Sequence, residues 1–269
     1  MKLSPDDWYI VLNANKDYRE NPDEWRGSPA WGRYIVSRIA EYSKTIDFRK
    51  SVELCSGNGF LFFCFQDLFD TTQESSFVDL SYAQCAVFKK RCLNLGIAPP
   101  AIVCGDIGKL SFEDKSLNCV YGYSFLHHLP DVGAYLREAN RVLVPGGKFI
   151  AFHEPTATAG FFERFPLSIF NKVTNGSLTD IWVISPAVIL KLLQENGFTN
   201  VKIFAHRLLS SIFIEPFTHF LRRIKFVSYS DLEAHLRLVC DKIEQVIPRP
   251  LRFRLAPSIA IYAEKSQSA

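Results

Sequence analysis

Three carboxylates stand where apolar runs end: Glu53 in Val52-Glu53-Leu54-Cys55-Ser56-Gly57-Asn58-Gly59, Asp79 in Ser76-Phe77-Val78-Asp79, and Asp106 just beyond Ala101-Ile102-Val103-Cys104. The first is followed by a turn of small residues. Gly57 and Gly59 let the backbone approach a ligand and take positive φ, so that a strand hands over to a helix N-terminus facing that ligand. This is the chemistry of a nucleotide site. A dinucleotide loop would place a third glycine three positions on, where Phe62 stands, and no Gly-Lys-Ser or Gly-Lys-Thr follows as a Walker loop requires. Glu53 puts negative charge at the mouth of the loop, which repels a phosphate and suits an ammonium group. Asp79 lies 20 positions past Gly59, where such folds place the carboxylate that takes the ribose hydroxyls. Asp106 could accept from an adenine amino group while Ile107 packs on the ring. The ligand these residues describe is an adenosine with a zwitterionic tail, held where three strand ends converge.

Two pairs could move protons. His127-His128 follows a fourth apolar run and His153-Glu154-Pro155 a fifth. Both pairs are therefore expected at the carboxyl ends of strands, on the ligand side. Histidine is the usual base near neutral pH. His128 and His153 are the catalytic candidates, with His127 and Glu154 beside them. The competing reading is structural: one histidine of each pair bonds a loop carbonyl or caps a helix. Adjacent in sequence, His127 and His128 are expected to point apart, and no HxxxH or HExxH spacing exists, so no metal is expected. His206, His219 and His235 read as cap or surface residues.

The elements that must position these groups follow from periodicity. Apolar strands near 51–55, 76–79, 101–104, 117–121 and 147–152 alternate with amphipathic helices near 59–69, 82–95 and 132–143. That is the βαβ rhythm of a parallel sheet. Pro145-Gly146-Gly147 stops the third helix and turns it into the fifth strand. With 269 residues, 48% of them hydrophobic, the chain can bury one large core and still carry a cap. A net charge of +3 from 31 basic and 28 acidic residues, scattered rather than striped, excludes a dense cationic field, so nucleic acid is not an expected partner. Cysteines 55, 64, 85, 92, 104, 119 and 240 form no CxxC pair and read as buried free thiols in a reducing compartment. The N-terminus has no apolar signal core and no run approaches the roughly 20 apolar residues of a spanning helix, so a cytoplasmic location is expected.

From about Phe48 to Phe152 the chain resembles the class I S-adenosylmethionine-dependent methyltransferases, particularly the small-molecule branch that methylates ubiquinone and menaquinone precursors. The resemblance is carried by Glu53 to Gly59, Val78-Asp79-Leu80-Ser81, Gly105-Asp106, Leu110-Ser111-Phe112, Ser124 to Leu129, Arg137-Glu138, Arg141-Val142-Leu143 and Pro145-Gly146-Gly147, in that order. It implies an α/β, Rossmann-like fold with a seven-stranded, mostly parallel sheet. Its sixth strand lies near 200–205, its last, near 258–263, runs antiparallel, and helices cover both faces beneath a helical cap. It also implies that Glu53 and the Gly57 to Gly59 loop hold the methionine end of S-adenosyl-L-methionine, Asp79 and Leu80 the ribose side, and Asp106 with Ile107 the adenine. Tyr123 and Ser124 would lie beside the sulfonium. One position departs: Cys55 stands for the first loop glycine. Its backbone is then expected to hold an ordinary φ.

Two regions lie outside the shared core and are expected to choose the acceptor. One is a helical N-terminal cap segment, 1–47, with Trp8, Tyr9, Tyr18, Trp25, Trp31 and Tyr34 and a helix from about Pro29 to Glu41. The other is a pair of insertions in the 48–269 core, near 156–184 and 207–250, rich in phenylalanine. Such a cap suits a small, apolar or aromatic acceptor in a water-excluding pocket, or the rings only pack the insertions onto the core. Residues 212–226 read alternatively as a stretch for peripheral membrane contact. A non-catalytic binding or regulatory protein, and a cofactor-binding enzyme of a non-methylating reaction, are the rival classes. The acceptor atom and the oligomeric state stay open.

Overall fold

The computed structural model describes residues 47–64, 74–129, 131–156, 164–166, 182–214, 216–217 and 230–267. The N-terminal cap segment through residue 46, most of the first insertion, and residues 218–229 with His219 lie outside the described residues.

Short apolar runs form the strands β1 (Ser51–Leu54), β2 (Ser75–Asp79), β3 (Ala101–Cys104), β4 (Leu117–Tyr123), β5 (Leu143–Pro155), β8 (Phe198–His206) and β9 (Ser258–Lys265), joined in one sheet of order β3-β2-β1-β4-β5-β9-β8. The first five pair in parallel. β9 is antiparallel to both β5 and β8, as expected of the last strand. Strand order reverses between β1 and β4, which opens a crevice at their carboxyl ends.

Alternation along the strands splits the core in two. Val52, Leu54, Val120, Phe149 and Ala151 face Leu136 and Val142 of helix α3 (Val132–Val142) and Ile189 and Leu193 of α4 (Pro186–Glu195). Phe77, Cys119, Tyr121, Ile150 and Phe152 face Leu61 and Phe62 of α1 (Phe60–Cys64) and Phe88 and Cys92 of α2 (Tyr82–Asn94). Asp131 and Ser81 accept the amides of Ala134 and Gln84 and so start α3 and α2 in place. The third helix ends at Val142 and β5 begins at once at Leu143, so Pro145-Gly146-Gly147, with Gly146 at φ 76°, bends the start of the strand where its pairing with β4 slips rather than preceding it.

Three expectations change. The first insertion is not wholly helical: β6 (Arg164–Pro166) and β7 (Trp182–Ile184) form a separate antiparallel pair. The second insertion does carry helices, α5 (Ser230–Glu244) and α6 (Arg249–Leu255), after a π-turn at Ser210–Ile214. Its Phe213 and Phe217 are exposed rather than packed in a pocket of the described residues. Among the cysteines, Cys104 is exposed because β3 is the edge strand.

Candidate active site at the carboxyl ends of the strands

The loop after β1 is built by its backbone. Cys55, Gly57 and Gly59 all have positive φ, at 53°, 54° and 80°. The ordinary φ expected for Cys55 is therefore wrong: the turn needs a left-handed residue there, and the thiol side chain bears it. Left-handed backbone costs an L-residue about 1–2 kcal/mol, so Cys55→Gly is expected to stabilise the fold by about 0.5–1 kcal/mol after the added freedom of the unfolded chain is counted. Urea unfolding measures it, and a loss of stability would refute the strain. Gly59 cannot be replaced so lightly, since a Cβ there would lie 2.5 Å from the Phe88 ring. A Cβ on Gly57 would meet nothing within 4 Å, so the loop leaves open space on that side.

Asp79 holds this loop to the next one. Its Oδ2 accepts the Gly57 amide and its Oδ1 the Ser81 amide, each at 2.8 Å. Each oxygen keeps a lone pair for another donor. Burial raises its carboxyl above the usual value, and the two amides oppose that. Glu53 is 2% exposed. Its Oε2 is buried with no hydrogen-bond partner, and burial, then the charge of Asp79, push its carboxyl well above the usual range. A buried acid left without a donor asks for a cation, and the ammonium group of the cofactor's amino-acid end is of that kind. The residues present thus fit S-adenosylmethionine. Asp106 is half-buried and accepts the Gly108 amide at 2.7 Å, an Asx turn that leaves Oδ2 for a ligand. Ile107 is only 5% exposed, in the core with Val78 and Leu110, so little of it remains for an adenine ring. Leu80 is half-buried beside Asp79.

Left-handed residues recur at the other strand ends. Ser124 follows β4 with φ 54°, His153 lies near the end of β5 with φ 59°, and Arg207 follows β8 with φ 71°. Cys55, Ser124, His153 and Arg207 thus put strained backbone along one edge of the sheet, as functional sites often do. In β5 the register slips between Ala151 and Glu154. This bulge turns His153 onto Tyr123, the rings stacked with centroids 5.5 Å apart, while the Phe60 ring lies tilted against Tyr123 with centroids 5.2 Å apart. Arg207 Nη1 donates to His153 Nε2 and to Ser258 Oγ, both at 3.1 Å. His153 therefore presents an acceptor to Arg207 and carries its own proton on Nδ1. Burial, then the charge of Arg207, hold it neutral, well below the usual histidine range.

His127 and His128 do not point apart. The short 3₁₀ turn Leu126–His128 lays the rings together at 4.0 Å. His127 Nδ1 bonds Glu154 Oε2 at 2.9 Å. Glu154 also accepts the amides of Phe125, Leu126 and His127. Those bonds commit it to holding the turn, so Glu154 is no base. Burial, then His127, lower His128 to about 3. His206 is not a surface residue. It is 5% exposed at the end of β8, 5.5 Å from the His153 ring. His206 and Arg207 were findable by the logic applied to His153, since both follow an apolar run. Arg237, whose charge reaches His153 from α5, had no such signal. Among the described residues no three metal-binding side chains gather, and no helix is long and apolar enough to cross a membrane.

The fold, its switch point and this loop have the architecture of the class I S-adenosylmethionine-dependent methyltransferases. Residues 52–151 match the methyltransferase domain family. The chain is 26% identical over 211 residues to demethylmenaquinone methyltransferase of Staphylococcus aureus, covering 72% of this chain and 85% of the relative. In fold it is similar to phosphoethanolamine N-methyltransferase 2 of Haemonchus contortus in complex with S-adenosyl-L-methionine, with a TM-score of 0.61 at 14% identity. That match covers 98% of this chain, which spans only 57% of the Haemonchus chain. A geranyl diphosphate methyltransferase in complex with its diphosphate and sinefungin gives a TM-score of 0.58 at 14% identity, over 85% of this chain and 75% of that one. The matched domain and these similarities make the chain an S-adenosylmethionine-dependent methyltransferase similar to quinone-methylating relatives, and its cofactor is S-adenosylmethionine.

Proposed function

We propose that this methyltransferase acts on a small apolar or aromatic acceptor seated against Tyr123 and His153. Glu53 takes the cofactor's ammonium group, with the backbone from Cys55 through Gly57 to Gly59 closing on that end. Asp79 takes the ribose hydroxyls beside Leu80, Asp106 the adenine amino group beside Ile107, and Tyr123 with Ser124 flanks the reacting centre. The observation that carries the acceptor class is the Tyr123–His153 ring stack at the strand ends with the Phe60 ring packed beside it. The quinone named for the Staphylococcus relative and the prenyl diphosphate named for the geranyl diphosphate enzyme support the same class.

When bound, S-adenosylmethionine supplies a methyl group on a sulfonium, so its leaving group is built in. The chain's own part is to position the acceptor in line and to exclude water with the stacked rings. Arg207 fixes the ring plane and tautomer of His153. His128 and His153 are both neutral at working pH, and with its Nε2 engaged by Arg207 and its proton on Nδ1, His153 positions the acceptor rather than taking its proton. With His128 held near 3, its titration lies far below neutrality. The kcat profile is accordingly expected to lack a limb between about pH 6 and 7, where an unshifted histidine titrates. A limb there that His128→Gln or His153→Gln abolishes would overturn these assignments.

Turnover of a panel of hydroquinones, naphthoquinols and prenylated phenols, read as S-adenosylhomocysteine and methylated product, tests the acceptor class. Turnover only of amines or phosphorylated amines would replace it. The cofactor assignment has its own signature at Glu53. Its raised carboxyl holds a proton that the cofactor's ammonium group displaces. Affinity for S-adenosylmethionine is therefore expected to climb as pH rises above the usual carboxylate value and to level once the raised value is passed. Calorimetry in buffers of different ionisation enthalpy should register the released proton. If the release persists in Glu53→Gln, another group is its source.

A further inference from the structure

Helix α5 is built inside out. Arg237, Asp241 and Glu244, spaced to share one helical face, are 5%, 2% and 1% exposed. On the outer side Val239, Ile243 and Val246 have the same spacing and are 37%, 50% and 82% exposed. Buried charge normally belongs to a site or a network and exposed aliphatic stripes to a partner. The buried side has its account: Glu244 Oε1 accepts the Leu209 amide at 2.7 Å, and Arg237 acts on His153. The outer side does not. α6 adds Leu251 and Leu255, 47% and 49% exposed, and Arg252 ties α6 to the end of α5 by donating to the Glu244 carbonyl at 3.4 Å and to Gln245 Oε1, just beyond it, at 2.6 Å.

Among the described side chains of α5 and α6 the exposed charge has one sign: Lys242, Arg249 and Arg254 are exposed and Arg252 half-buried, while Asp241 and Glu244 face inward, and no acidic residue occurs between Glu244 and Glu264. Aliphatic side chains interleaved with cations, without acids, are what the surface of an anionic bilayer binds: the apolar groups enter the acyl boundary and the arginines meet phosphates. We infer that the outer face of α5 and α6 docks this methyltransferase on anionic lipid membranes. The contact rests on the proposed apolar acceptor only for its purpose, since such acceptors partition into bilayers. It leaves the strand-end crevice on the other side of α5, where the charged stripe lies.

Flotation of the full chain with vesicles of phosphatidylcholine containing about one third phosphatidylglycerol tests it, with pure phosphatidylcholine as the second arm. The wild type should float with the anionic vesicles, less so at high salt. Ile243→Glu, Val246→Glu and Leu251→Glu together should lower the bound fraction about tenfold. Arg249→Gln with Arg254→Gln should remove the preference for anionic lipid. All these positions are exposed and outside the crevice, so cofactor affinity and turnover of a water-soluble acceptor should stay at wild-type level, which also shows that the variants fold. A wild type that stays at the bottom of the gradient overturns the inference. So does sedimentation showing that the aliphatic variants split a dimer while flotation is unchanged, which would make the face a contact with a second copy. Either failure leaves the acceptor panel unaffected, so the two readings fall separately.

Discussion

Asp79→Ala is expected to weaken S-adenosylmethionine binding by about 1–3 kcal/mol, the cost of buried hydrogen bonds left unmade, or roughly 5- to 150-fold in Kd. The effect should be large because the carboxylate works twice. It joins the loop after β1 to the start of α2 through the Gly57 and Ser81 amides, and in the proposed site its remaining lone pairs take the ribose. Calorimetry of the wild type and the variant measures the first quantity. Thermal unfolding of both without cofactor separates the roles, since loop-holding alone would lower stability and leave affinity nearly intact once the protein is folded. That result would remove Asp79 from the cofactor site. Asp79→Asn should be intermediate, because an amide nitrogen cannot accept one of the two backbone N–H groups.

Glu154→Ala is expected to destabilise the fold by about 3–5 kcal/mol, since it leaves several buried donors without their acceptor at about 1–3 kcal/mol each. One carboxylate accepts three consecutive backbone amides and the His127 ring, and it is 4% exposed. Nothing else among the described residues does this for the turn after β4. Denaturant unfolding gives the number, and a loss under about 1 kcal/mol would mean that water replaces the carboxylate freely. In variant protein that remains folded, the His127 and His128 rings should lose their fixed packing, visible as averaged ring resonances. Glu154→Gln retains one acceptor oxygen and should recover part of the loss.

Local pattern made much of this molecule legible. Alternating apolar runs marked the strands of the sheet, and the break at Pro145-Gly146-Gly147 marked the end of α3, because period and punctuation act over a few residues. The acids at strand ends likewise indicated the cofactor class, since a loop that rejects phosphate and receives an ammonium group is defined by its own residues. Glu154 shows where this stops. Its residue type suggested a base, but its role depends on three amides and a ring that lie 27 to 29 residues earlier in the chain.

The sequence by itself determined the order of elements, the glycine loop and the set of carboxylates at the strand ends. Tertiary structure decided the rest. The left-handed turn at Cys55 is imposed by the closing of β1 onto α1, and a small side chain reveals nothing of φ. The turning of His153 onto Tyr123 comes from a bulge opposite β9, more than a hundred residues away. His206 and Arg207 join that site only because β8 runs parallel to β5 across β9. The inverted faces of α5 are a matter of which side the core claims. Helical spacing groups residues on a face, but only the packed neighbours determine whether that face is turned inward, and here the charged one is.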